Sequence, residues 1–202
     1  MSDFELRGVH VPLVTPFDSA GEVDKPGLRR LVDYLIDNGA QGLVPCGTTG
    51  ESPTLSWQEH EEVIHLTIEY AAGRVPVTAG TGSNCTREAI EMTQFAEEAG
   101  AQAVLLVSPY YNRPTQPGLI AHFKQVAGCT SLPVVLYNIP KRTGVNIEPD
   151  TMAELAQVML RDSLDAFVRR DVGLAQQVLA HPRYVSMGVS YKVILLVCVR
   201  LV

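Results

Sequence analysis

Short apolar runs alternate along this chain with longer stretches of helical period. Val9 to Val14 reads as a strand closed by Thr15-Pro16. From Gly27 to Asn38 the apolar residues Leu28, Leu31, Val32, Leu35 and Ile36 recur three and four apart, the spacing of one helix face. Gly39 stands where a helix-terminating glycine belongs. Gly42 to Cys46 reads as the second strand, and Ser56-Trp57-Gln58-Glu59 is a capping box opening a helix that runs to about Ala72. Val75 to Ala79 is the third strand, and Thr86 is expected to cap a helix ending at Gly100. Ala101 to Val107 is the fourth strand, a helix follows Pro117, and Pro133 to Tyr137 is the fifth strand. The fragments DNGAQGLV and EEAGAQAVLLV resemble each other at corresponding helix-to-strand junctions, a weak internal repeat of a βα unit.

Strands rich in Val, Leu and Ala, each followed by a helix, imply a parallel sheet buried on both faces. Such a sheet is either doubly wound or closed as a (β/α)8 barrel. AGTGSN lacks the spacing of a dinucleotide-binding loop. Polar residues instead gather at the C-terminal ends of several strands, at Thr48-Thr49, Thr81, Tyr110-Tyr111 and Tyr137. That pattern favours an α/β fold of TIM-barrel type, in which functional groups converge from different strand ends. Beyond Asp150 the spacing of Leu155, Met159, Leu164, Phe167, Val168, Val172, Ala175 and Leu179 suits one or two amphipathic helices, ended by Pro182. The stretch YVSMGVSYKVILLVCVRLV contains strand-like residues without a clear partner.

Composition narrows the class. A length of 202 residues gives one good core, and the hydrophobic fraction of 46% and charged fraction of 19% describe an ordinary soluble globular chain. The formal net charge of -6 and the lack of a Lys/Arg cluster argue against a nucleic-acid surface. No apolar run is long enough to span a bilayer, and MSDFELRGVH does not read as a secretory signal, so a cytoplasmic location is expected. Cys46, Cys85, Cys129 and Cys198 are far apart, which fits reduced thiols better than disulfides or zinc. The histidines show no ligand spacing, so no metal site is expected, and His60 and His65 read as a solvated helix face.

Three segments carry candidate chemistry. Gly47-Thr48-Thr49-Gly50-Glu51-Ser52 offers adjacent hydroxyls and turn N–H groups to a small carboxylate, although an ordinary polar βα turn has the same composition. Pro109-Tyr110-Tyr111-Asn112-Arg113-Pro114 places two phenols past strand four, where they can move a proton or simply pack a loop or subunit interface. Tyr137-Asn138-Ile139-Pro140-Lys141-Arg142-Thr143-Gly144 follows strand five. It offers a proton donor at Tyr137 and a forked cation at Arg142, or else a satisfied buried phenol and a solvated arginine.

GTTGES, PYYNRP and YNIPKRTG in this order, each after its strand, resemble the dihydrodipicolinate synthase family over about Gly8 to Gln157. The resemblance implies an aldolase-type barrel that condenses pyruvate with aspartate semialdehyde through a Schiff base, in lysine biosynthesis. It implies a homo-oligomer, and no cofactor, nucleic-acid partner or membrane partner is expected. By resemblance, Thr48 and Thr49 hold the pyruvate carboxylate, and Thr48, Tyr137 and Tyr111 form the proton relay, Tyr111 crossing to a second subunit. Arg142 takes the semialdehyde carboxylate.

The resemblance breaks after Gln157. The family's Schiff-base lysine lies roughly two dozen residues beyond the position of Tyr137, where this chain reads LRDSLDAFVRR. Lys25, Lys124, Lys141 and Lys192 are the only lysines, and Lys192 alone stands in a strand-like segment. Residues 1–157 are thus expected to form an incomplete barrel of about five βα units. Residues 158–202 are expected to form a departing segment, helical to about 180, of which about 159–180 resembles a helix of the phosphate-uptake regulator family. The first and fifth strands should then be open edges. A synthase lacking its amine, and a truncated or chimeric non-catalytic chain with an interaction or regulatory helix, are the two functions weighed on this pattern, and an intact lysine-containing enzyme disrupted by a sequence error would give the same one.

Overall fold

The computed structural model describes residues 7–155 and, as backbone, the strand at 193–197. The chain divides into two compact units, Met1–Thr81 with Met92–Leu105, and Gly82–Glu91 with Leu106–Val202.

In the first unit β1 (His10–Pro12) pairs in parallel with β2 (Gly42–Val44), His10 opposite Gly42 and Pro12 opposite Val44. β2 meets the third strand through a parallel bridge from Leu43 to Val77 and a 3.0 Å bond from Gly80 N to Pro45 O. β3 (Thr78–Gly80) pairs in parallel with Ala103–Leu105 of β4 (Ala103–Val107). Spatial order therefore follows chain order, whereas a doubly wound sheet reverses after its first units. The architecture is of (β/α)8 TIM-barrel type and incomplete, as expected from the polar residues at the strand ends.

The helices form where local chemistry starts and stops them. In α1 (Lys25–Asp37), the Asp24 carboxylate caps Gly27 N at 2.9 Å, and Leu28 and Val32 are fully buried. The capping box is present at α2 (Trp57–Ala71): Ser56 Oγ accepts from Glu59 N, and Glu59 Oε2 accepts from Ser56 N at 2.7 Å. The ion pair Lys25–Glu62 and Arg29 stacked 5.2 Å from the Tyr70 ring join these two helices outside the core, and Asp33 of α1 pairs with Arg74 in the turn after α2. Inside it, Leu13, Leu43, Ile64 and Val77 are fully buried, each contributing about 1.5–3 kcal/mol.

The internal repeat is structural. Gly39 and Gly100 both take left-handed φ, +91° and +94°, and send the chain back toward the sheet. Two residues later Gln41 N bonds Val9 O at 2.8 Å, and Gln102 N bonds Val77 O at 3.0 Å. Each glutamine then returns its side-chain oxygen to the same partner's N–H, at 3.0 Å for Val9 and 2.7 Å for Val77. This explains why β3 starts at Thr78, later than its apolar run: Pro76 has no N–H, and the Val77 N–H goes to Gln102.

In the second unit β4 lies beside β5 (Val134–Asn138), which pairs with β6 (Val193–Val197). Thr115 caps α4 (Gln116–Gly128), and Leu106, Leu119, Phe123 and Ile147 are fully buried. Residues 149–155 are helical, while the rest of the expected helical segment, including 159–180, lies outside the described residues.

Several expectations are corrected. β5 is not an open edge, because β6 runs parallel to it from Val134 opposite Val193 to Asn138 opposite Val197; the last apolar stretch does have a partner. Thr86 is the first residue of α3 (Thr86–Glu98) rather than its cap, and its hydroxyl bonds His122 Nδ1 at 2.9 Å. Lys141 and Arg142 lie in a single helical turn, α5 (Pro140–Thr143). His65 is exposed as expected, but His60 is half-buried with Nε2 2.7 Å from Gly80 O.

Candidate active site

The Thr48-Thr49 turn belongs to the first unit. β2 stops because Pro45 has no N–H and Cys46 is left-handed, φ +53°. The chain folds back through Gly50 N to Gly47 O at 3.1 Å and Glu51 N to Thr48 O at 3.2 Å, with Glu51 also left-handed at +56°. Neighbouring backbone packs against this turn with no room for side chains. A Cβ on Gly80 would lie 2.2 Å from Cys46 O, and one on Gly50 would lie 3.1 Å from Leu13 O. Thr15, buried, donates its hydroxyl to Gly50 O at 2.7 Å.

Held this way, Thr48 is half-buried and Thr49 exposed. Neither their hydroxyls nor their backbone N–H groups bond to another described residue. Four donors in one rigid turn suit a carboxylate. Behind the turn, burial lowers the His60 pKa and raises that of the Cys46 thiol, so both groups stay neutral and structural.

The other candidate residues lie in the second unit. Tyr137 is half-buried, the fourth residue of β5, and its carbonyl accepts from Ser108 N at 3.3 Å. Asn138 ends the strand and is buried. Its Oδ1 accepts from Ile147 N at 3.1 Å, and its Nδ2 donates to Asn146 Oδ1 at 2.8 Å. Gln116 adds a second clamp, donating to Asn146 O and accepting from Glu148 N and the Thr151 hydroxyl. Between these anchors Thr143 Oγ1 bonds Val145 O at 2.9 Å, and Gly144, φ +72°, closes α5. Arg142 therefore stands exposed on a fixed turn, and its guanidinium pairs with no carboxylate among the described residues.

Tyr110 and Tyr111 face different surroundings. Tyr110 is half-buried against the Ser83 hydroxyl and Asn84 backbone, and burial, then the charge of Glu88, raises its pKa. Tyr111 is 91% exposed in a three-residue turn closed by Asn112 N to Tyr110 O at 2.8 Å. Its φ of +69° is one that aromatic residues rarely adopt.

The structure thus brings Thr48 and Thr49 together in one unit and Tyr137 and Arg142 onto one clamped segment of the other. Sequence reasoning missed Thr15, Gly80, Asn138 and Gln116, whose roles arise from long-range hydrogen bonds or close backbone contact. Only the Asn immediately after Tyr137 hinted at this. Among the described residues no cluster of His, Cys, Asp and Glu could hold a metal ion, and no helix is long and apolar enough to cross a membrane.

Parallel strands in chain order, with reactive side chains just past their C-terminal ends, define an enzyme scaffold of the TIM-barrel class. Residues 5–161 match the model of the dihydrodipicolinate synthetase family, and the chain belongs to that family, whose members are lyases. It is 57% identical over 153 residues to the 4-hydroxy-tetrahydrodipicolinate synthase of Syntrophus aciditrophicus, covering 76% of this chain and 52% of that protein. The structure of the 4-hydroxy-tetrahydrodipicolinate synthase from Methylacidiphilum fumariolicum SolV matches with a TM-score of 0.74 at 50% identity, over 76% of this chain and 51% of that one. A chloride-inhibited dihydrodipicolinate synthase from Acinetobacter baumannii, complexed with pyruvate, matches with a TM-score of 0.74 at 49% identity, over 75% of this chain and 52% of that one. The chain spans about half the length of the curated relatives it matches.

Proposed function

We propose that the chain carries the carboxylate-binding and proton-relay half of a 4-hydroxy-tetrahydrodipicolinate synthase site and lacks the amine that completes it. Thr48 and Thr49 bind the carboxylate of pyruvate, Tyr137 moves protons with Thr48 and with Tyr111 from a second copy of the chain, and Arg142 takes the carboxylate of aspartate semialdehyde. The observation that carries this reading is the Thr48-Thr49 turn, rigidly built yet with its hydroxyls and N–H groups unpartnered among the described residues. The family relationship supports pyruvate as the ligand. On this reading 1–157 form the barrel part, 158–202 are a separate segment, and the chain works in the cytoplasm without a cofactor.

The lysines support the missing amine. The synthase reaction requires an uncharged amine to attack the keto carbon of pyruvate and form an iminium. Lys25 is ion-paired to Glu62 and held protonated, its pKa raised by that hydrogen bond. Lys124 on α4 is bound to Glu154 at 3.1 Å, and Lys141 is exposed on α5. Lys192 lies outside the described residues. Incubation with pyruvate and borohydride, followed by intact-mass spectrometry, tests the reading. Reversible pyruvate binding with no trapped adduct is expected. A stable adduct on any lysine would refute the missing amine, and a Thr48→Val variant that binds pyruvate as well as the parent would refute the carboxylate site.

A further inference from the structure

We propose that Val193–Val197 is a surrogate strand, by which the chain covers the edge of β5 with its own residues in place of the βα unit that would follow in the family. The family match ends at residue 161, so β6 comes from outside the matched region, yet it runs parallel to β5 over the whole of that strand. Its register is unbroken from Val134–Val193 to Asn138–Val197. Residues 156–192 lie between, far more chain than the dozen or so residues a parallel crossover requires.

Each half of this pairing is a hazard alone. Without β6, β5 would present a row of unpaired N–H and C=O groups beside Tyr137 and the clamped Arg142 turn. Without β5, the sequence VILLV is a strongly β-forming segment free of charge and proline, the composition that pairs with other chains. Docking one on the other satisfies both within a single molecule. Among the described residues the sheet then ends in a strand of five residues, and shortness is one means by which edge strands avoid further pairing. β6 accordingly acts as a clip that keeps β5 ordered and the chain from pairing with copies of itself.

Hydrogen exchange on the full chain, read by mass spectrometry, tests the proposal with two variants. Tyr137 O faces Ser108 N, so Leu136 beside it faces β6, and with Leu136 opposite Leu195 the β6 donor turned to β5 is the Leu196 N–H. Leu196→Pro removes that donor, whereas Leu196→Val keeps the ladder and the β propensity. In the parent and in Leu196→Val, amides 134–138 are expected to be protected, independent of protein concentration. In Leu196→Pro their protection should fall by at least about tenfold, with α2 unchanged and larger species appearing on size exclusion. The proposal is overturned if 134–138 exchange freely in the parent or keep their protection in Leu196→Pro. It is equally overturned if α2 opens together with β5, since β6 would then belong to the global fold and not act as a clip.

Discussion

His122 shows how a single buried ring ties stability to pH. It lies inside α4, with Nδ1 bonded to the Thr86 hydroxyl, its ring edge-on to Phe123 at 5.2 Å, and a buried Nε2 without a hydrogen-bond partner among the described residues. Burial pushes its pKa down to about 4 from 6.5. Between those values the unfolded chain binds a proton that the folded chain refuses, so stability rises with pH across that window. It is complete above about pH 6.5 and is lost as pH falls toward 4. By pH 5 the loss from His122 alone is about 2 kcal/mol. Burial also lowers the pKa of His60 and His10, which adds to the same slope. Urea midpoints at pH 7.5 and pH 5.0 should show this fall, and His122→Gln should flatten it. An equal slope in parent and variant would mean that other groups carry the effect.

At the scale of elements, the repeated junctions at Gln41 and Gln102 permit a comparison inside one molecule. Both glutamines close the same two-bond clamp on the strand before them, but the bond to Val77 N is partly buried and the bond to Val9 N is exposed. An amide left unpaired in the interior costs more than one that water can reach. Gln102→Ala should therefore destabilise by about 1–2 kcal/mol and Gln41→Ala by about 0.5 kcal/mol or less, measured as shifts in denaturation midpoint. Equal losses would mean the clamp acts through something other than burial. These junctions also mark what the sequence could reveal. Strand runs, helix periods, the Ser56 capping box and the Gly39 turn were legible because they depend on neighbours a few residues apart. The side-chain partners of Gln41, Gln102 and Asn138 were not, because each is set by chain brought back from elsewhere. His60 was misassigned for the same reason: its exposure is decided by Gly80 of the next strand, not by its own helix. GTTGES, PYYNRP and YNIPKRTG carried the family resemblance because all three are contiguous in the chain, whereas the amide clamp that fixes the Arg142 turn draws Gln116 from another helix and had only the Asn after Tyr137 as a local sign.

At the scale of the whole molecule, the described residues hold five successive βα units and a sixth strand outside the family match, and the proposed function calls in addition for a second copy of the chain. Tyr111 is where association would be felt. It is 91% exposed on a left-handed backbone, φ +69°, and Asn112 beside it is anchored by Nδ2 to Asn84 O at 3.0 Å. A large aromatic side chain in that conformation costs the isolated chain about 1–2 kcal/mol, and it gains little from packing when so exposed. Asparagine tolerates left-handed φ better and carries less apolar surface. Tyr111→Asn should therefore leave the dilute chain as stable as the parent, or more stable by up to about 1 kcal/mol. If Tyr111 packs against a second copy, the same substitution should weaken self-association at least about tenfold, as expected on removing a buried aromatic anchor. Sedimentation velocity across a concentration series, paired with thermal melts at the lowest concentration, separates the two effects. Tyr111 is held in a strained, exposed position for a partner if stability is kept while association falls; a parent that stays monomeric throughout the series, or a variant that associates equally well, would remove it from any intersubunit relay.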